Sequence, residues 1–146
     1  MMTLIVLFVS LLVFRGLGVL GVPLFFTWHD SALWALSVMV LFTASAHFTA
    51  LKEDLIKMVP SFFPAPRQIV FATGLLEIAG AVGLLIPPLR TAASICLALL
   101  FVAMFPANIN AALRQVPLRG RSATPLWLRL PMQVLFIALA VWIALG

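Results

Sequence analysis

Five stretches of the chain, residues 2–26, 31–51, 68–86, 91–113 and 126–145, are apolar almost without interruption. At about 1.5 Å of rise per helical residue, each is long enough to cross a hydrocarbon core of about 30 Å with ordinary tilt. Such runs, repeated from end to end, predict an all-α integral membrane bundle of about five transmembrane helices. In a helix every backbone amide finds its partner within the same segment, which a bilayer demands. Composition points the same way. Apolar residues make up 64% of the 146 and charged residues 9%, against about 25% charged in soluble domains. A soluble enzyme domain, a disordered tail and a secreted disulfide scaffold are thereby excluded. The net charge of +5 does not indicate a nucleic-acid partner, because the basic residues lie between apolar runs and form no polar basic face.

The positions of those basic residues carry a different message. Lys52, Lys57 and Arg67 follow the second run, and Arg114, Arg119 and Arg121 follow the fourth, with Arg129 at the edge of the fifth. The opposite side holds Arg90 alone, while Arg15 lies within a run. The positive-inside rule then predicts a cytoplasmic N-terminus and an external C-terminus. Trp28, Trp34 and Trp142 fall near the predicted outer boundary and Trp127 near the inner one, where interfacial belts form. No charge precedes the first run and no small-x-small site follows it before Trp28, so a retained helix is expected there and not a signal peptide.

Between the second and third spans, residues 58–66 read Met-Val-Pro-Ser-Phe-Phe-Pro-Ala-Pro. Prolines that close together forbid a continuous helix, and the phenylalanines suit no well-solvated loop. An amphipathic turn followed by a proline-rich strap in the headgroup layer is predicted for residues 52–67. The basic loop over residues 114–125 reads first as a topology signal, and secondarily as a surface for anionic headgroups or a partner. Pro87-Pro88 separates the third and fourth helices, and Pro106 is expected to kink the fourth.

Polar side chains inside the runs are expensive and therefore informative. Counted from the inner boundary, Glu77 lies about 14 Å deep, His47 about 6 Å, Asn108 and Asn110 about 5–8 Å, and Gln133 about 10 Å. Arg129 is nearer the surface. Four different helices thus direct polar groups into the cytoplasmic half. The same-face neighbours of Glu77 are Thr73, Gly74, Gly80 and Ala81, a small-residue stripe that lets another helix approach. Its carboxyl is expected to be protonated or paired. Arg15, counted to mid-bilayer, is the leading partner, with Arg129 and His47 as alternatives. These groups either clamp the bundle by interhelical hydrogen bonds or form a site for a proton, a quinone or a small ligand. An interface with another membrane subunit is the third reading.

Other chemistries find little support. The single cysteine, Cys96, has no partner for disulfide exchange and reads as a small core residue. His29 and His47 fall at opposite boundaries and cannot share a metal, so no metal site is expected. Met39, Met58, Met104 and Met132 read as packing residues. Gly16, Gly18 and Gly21 suit helix packing and not a phosphate loop, which needs a preceding strand. Asn108 and Asn110 are placed to bind backbone groups loosened by Pro106.

The run of Ala46-His47-Phe48, Met58-Val59-Pro60 and residues 73–80 (Thr-Gly-Leu-Leu-Glu-Ile-Ala-Gly), then Phe105-Pro106-Ala107-Asn108 and residues 129–133, resembles the DoxX-like integral membrane proteins. The resemblance covers about residues 31–145 and rests on the order and spacing of short motifs. It implies a single membrane domain over residues 1–146, with a four-helix core at 31–146 and an additional N-terminal helix at 1–30. The family's first core helix carries an arginine that residues 31–34 lack; Arg15 is the candidate replacement. The resemblance further implies a bacterial plasma-membrane protein, an accessory subunit of a redox or stress-response system, quinone as a possible cofactor, and membrane or peripheral redox partners. Relatives of that type include a subunit of thiosulfate–quinone oxidoreductase and part of a detoxification complex with superoxide dismutase and a sulfurtransferase. It names no catalytic group. A non-enzymatic scaffold or assembly factor is the alternative, and a small-molecule transporter the third.

Overall fold

The computed structural model describes residues 2–117, 120 and 124–146, all-α in architecture. The long helices are α1 (Met2–Val19), α2 (Trp28–Ala44), α4 (Pro66–Leu85) and α7 (Leu126–Leu145). Between them lie α3 (Lys52–Met58), α5 (Arg90–Ala103) and α6 (Phe105–Leu113). Five segments are long and apolar enough to cross a membrane: Met2–Val19, Trp28–Phe48, Pro66–Leu85, Pro87–Leu113 and Leu126–Leu145. Arg119 and Arg121 lie outside the described residues.

Local chemistry sets the boundaries. Thr27 caps α2 by accepting the Asp30 amide at 2.9 Å, so the second helix starts earlier than the apolar run alone predicts. α1 stops at Val19, not at residue 26, since Gly21 takes a φ of +98° and Pro23 opens a 3-10 turn, Pro23–Phe25. The fourth span is interrupted at Met104, just before Pro106, where a kink is expected, and the Met104 backbone stays in the right-handed helical region. Pro106 has no amide hydrogen for the carbonyl four residues back, and α5 gives way to α6 at Met104.

α2, α4, α5 and α7 close a ring, each packed against the next and α7 returning to α2. α1 lies along α2, outside that ring. Burial follows: 56% of an 18-residue stretch of the second span is buried, against 11% of the first span. Leu36, Val40, Leu84, Leu97 and Ala140 fill the centre. The small-residue stripe on α4 works as close-packing surface. A Cβ on Gly80 would stand 2.5 Å from Leu97, and the Ala81 carbonyl accepts the Ser37 hydroxyl at 2.9 Å. Outward faces carry apolar side chains such as Leu12, Leu99 and Val134, suited to lipid contact.

Two sequence expectations fail at this level, those for Cys96 and for two of the early glycines. Cys96 is exposed on α5, because the core-facing positions of that helix are Ser94, Leu97 and Ala98, and Cys96 falls on the other side. Trp34, six residues along α2 and half-buried, packs against Phe14 and Phe25 at ring separations of 6.1 and 5.7 Å. Of the three early glycines only Gly18 serves packing, where a Cβ would collide with the Phe25 carbonyl. Gly16 meets nothing within 4 Å, and Gly21 serves the turn.

Candidate functional site: a polar pair at the wall of an apolar cavity

The end of α2 relaxes into a 3-10 turn, Ser45–Phe48, which turns His47 inward against α4. Gly74 makes the approach possible: a Cβ there would stand 2.6 Å from the His47 Cβ. His47 is 4% exposed and Glu77 2%. The His47 Nδ1–H donates to the Val70 carbonyl at 2.6 Å, and Nε2 faces Glu77 Oε2 at 3.7 Å. The Thr43 hydroxyl stands 2.9 Å from the Val40 carbonyl and 3.3 Å from Glu77 Oε2, either of which accepts its hydrogen. Thr73, one turn before Glu77, donates to the Ile69 or Val70 carbonyl and lies 3.5 Å from His47 Nδ1.

The expected Arg15–Glu77 pairing is overturned. With α1 ending at Val19, Arg15 stands about one turn from the helix end, not at the middle of a longer span. Its guanidinium donates to the Phe26 carbonyl at 3.2 Å and lies 5.2 Å over the Trp28 ring. Arg129 does not reach Glu77 either. It donates to the Thr124 carbonyl at 3.0 Å and to Asn108 Oδ1 at 3.2 Å.

Asn108 belongs to a second cluster. Its amide donates to the Met104 carbonyl and to Gln133 Oε1, both at 3.2 Å, and Gln133 in turn donates to the Phe101 carbonyl at 2.6 Å. Met104 and Phe101 lie just before Pro106, so these amides tie the interrupted helix to α7. They do not recapture the carbonyl that Pro106 leaves without its donor, which is that of Val102. The Met104 carbonyl already accepts the Asn108 backbone amide at 3.1 Å. Asn110 acts elsewhere, donating to the Met58 carbonyl at 2.9 Å and so holding the end of α3 to α6. The predicted single convergence is therefore two clusters and a tie. Sequence reasoning missed Thr43, although it precedes His47 by four residues on the same helical face.

A cavity of about 480 Å³ lies between the strap, the start of α4 and the break before α6. That is a typical volume for a small-molecule site. Met58, Pro60, Val70 and Met104 line it, with the exposed Phe63 and Ala103 at the rim. His47 and Thr73 are the polar side chains on its wall. Glu77 stands behind His47. An apolar chamber with one ionisable group at its wall, backed by a carboxylate, can hold a greasy molecule and exchange a proton with it.

No curated protein and no solved structure matches the chain. One family model does, over residues 36–144, taking in about half of α2, the strap, the cavity and both polar clusters while leaving α1 outside. The chain belongs to the family described as domain of unknown function DUF8561.

Proposed function

We propose that this is a bacterial plasma-membrane protein, N-terminus cytoplasmic and C-terminus outside, that binds a membrane-soluble small molecule in the strap cavity. The bound molecule has an apolar body and one polar head, and the head meets His47. The observation that carries the reading is the cavity itself: an apolar volume of ligand size whose wall includes His47, with Glu77 3.7 Å behind it. The likeness of its motifs to DoxX-like proteins supports a role as accessory subunit of a redox or stress-response system, with a quinone among the candidate ligands. The Lys/Arg bias supports the orientation.

Gently purified protein in lipid nanodiscs, assayed by native mass spectrometry, is expected to carry a small apolar molecule that Ala107→Trp, which fills the cavity from α6, expels. Decylubiquinone added to the emptied protein is expected to raise Tm in wild type and not in Ala107→Trp. If the cavity-filling variant retains the same molecules, the reading fails. A scaffold or assembly role is favoured by a different feature, Phe62, 73% exposed at the tip of the strap. On that reading Phe62→Ser abolishes capture of the native partner while Ala107→Trp leaves it intact.

A further inference from the structure

We propose that the ligand of the strap cavity is a lipophilic acid, its anionic head bound to the His47 imidazolium that its own proton creates, while Glu77 behind the ring holds the proton the pair already shared. The inference rests on the reading of the cavity as a ligand site and specifies the chemistry of the head.

The Val70 carbonyl can only accept, so the hydrogen bond at 2.6 Å fixes a proton on His47 Nδ1. Nε2 is then the atom that changes state, and it lies 3.7 Å from Glu77 Oε2. That separation is longer than an N–H···O hydrogen bond, leaving Nε2 open to a better acceptor. One mobile proton serves the pair. It sits on Nε2, giving imidazolium and carboxylate, or on Glu77, giving two neutral groups, and both states have zero net charge. A bare ion entering the apolar chamber breaks that neutrality at high cost. A neutral acid does not. Its O–H bond breaks, the proton forms the Nε2–H bond on the neutral imidazole while the pair's own proton stays on Glu77, and the resulting anion accepts that Nε2–H. Net charge is unchanged and no other reactant is consumed.

The surroundings select an acid over a base. Among the described residues lining the cavity His47 is the one that ionises. The charged groups on α4 and α3, which both pack against the 3-10 turn that holds His47, are Arg67 and Glu77, and Lys52, Glu53, Asp54 and Lys57. On the far side Arg129 is held by Asn108. Arg67 pairs with Glu53 at 3.2 Å and Lys57 with Asp54 at 3.7 Å. Among the described residues of 52–67 and 114–117, the basic side chains Lys52, Lys57, Arg67 and Arg114 stand against the acidic Glu53 and Asp54. The excess draws anions to this end of the bundle.

The test uses decanoic acid and 1-decanol as probes, with the full chain in phosphatidylcholine nanodiscs, and reads the side-chain ¹⁵N signals of His47 in Glu77→Gln. The His29 signal is assigned by its loss in His29→Gln. In neutral buffer decanoic acid is expected to convert His47 from imidazole to imidazolium, replacing the lost carboxylate, and decanol is not. In wild type, which does not depend on the variant folding, decanoic acid is expected to raise the infrared band of a protonated carboxyl that Glu77→Gln lacks. It is also expected to bind at least about tenfold more tightly than decanol. Equal binding of both probes, with His47 unchanged and Ala107→Trp blocking both, overturns the acid and leaves the cavity reading standing. Binding that Ala107→Trp does not affect overturns both.

Discussion

The side chains that matter most are those whose position is held by something small. Gly74 is the clearest: it leaves room for the His47 ring where any Cβ collides. Gly74→Ala is expected to destabilise the protein by about 1–3 kcal/mol and to displace His47, measured as a fall in Tm with a shift of the His47 imidazole signals. Thr43→Val removes a donor to Glu77 and keeps the shape; a loss of about 0.6 kcal/mol is expected from bilayer double-mutant values. At this scale the sequence is legible where depth and neighbours agree. Glu77, with small residues one turn either side, is as buried as that stripe requires. Arg15 is misplaced by a depth counted along an apolar run that continues past the true end of α1. Hydrophobicity does not register a turn built from Gly21 and Pro23. Thr43 is illegible for another reason: a hydroxyl in an apolar run can satisfy itself on its own backbone, and only the fold brings Glu77 within its reach.

Among elements, the strap has the most conditional attachment. α3 and Pro60 roof the cavity, and Met58 is held on two sides, by the Asn110 amide and by packing with Ala111 and Val116. Asn110→Ala is expected to cost about 1 kcal/mol, and its effect is local. Hydrogen exchange should accelerate in residues 52–65 while α2 and α4 keep their protection; uniform acceleration throughout the bundle would contradict a local tie. The strap itself is readable from its prolines and phenylalanines, which exclude both helix and solvated loop. Its tie is not, since Asn110 lies two residues from Asn108 and sequence alone gives both the same role. A difference of about 200° around the helix axis separates the two.

For the molecule as a whole, the ring of α2, α4, α5 and α7 makes α1 a peripheral helix, joined to the bundle through α2. Periodicity could not reveal this, because a helix apolar all round looks alike whether lipid or protein surrounds it. Orientation is testable by reporter fusions: alkaline phosphatase joined after Gly146 is expected to be active, and joined after Gln115 inactive, with the reverse pattern for a fluorescent protein that folds only in the cytoplasm. The break before Pro106 has a consequence for how such a chain is made. α5 has 14 residues and α6 nine, so they measure about 21 and 14 Å, and neither crosses a bilayer alone. The insertion machinery, weighing hydrophobicity before tertiary contacts exist, must accept residues 87–113 as one segment, and only afterwards can α7 and its amides stabilise the bend. Pro106→Ala should therefore insert as efficiently as wild type while losing the bent state. On the proposed reading, biogenesis and ligand binding draw on the same residues at different moments, and a variant can be delivered faultlessly to the membrane with its site already lost.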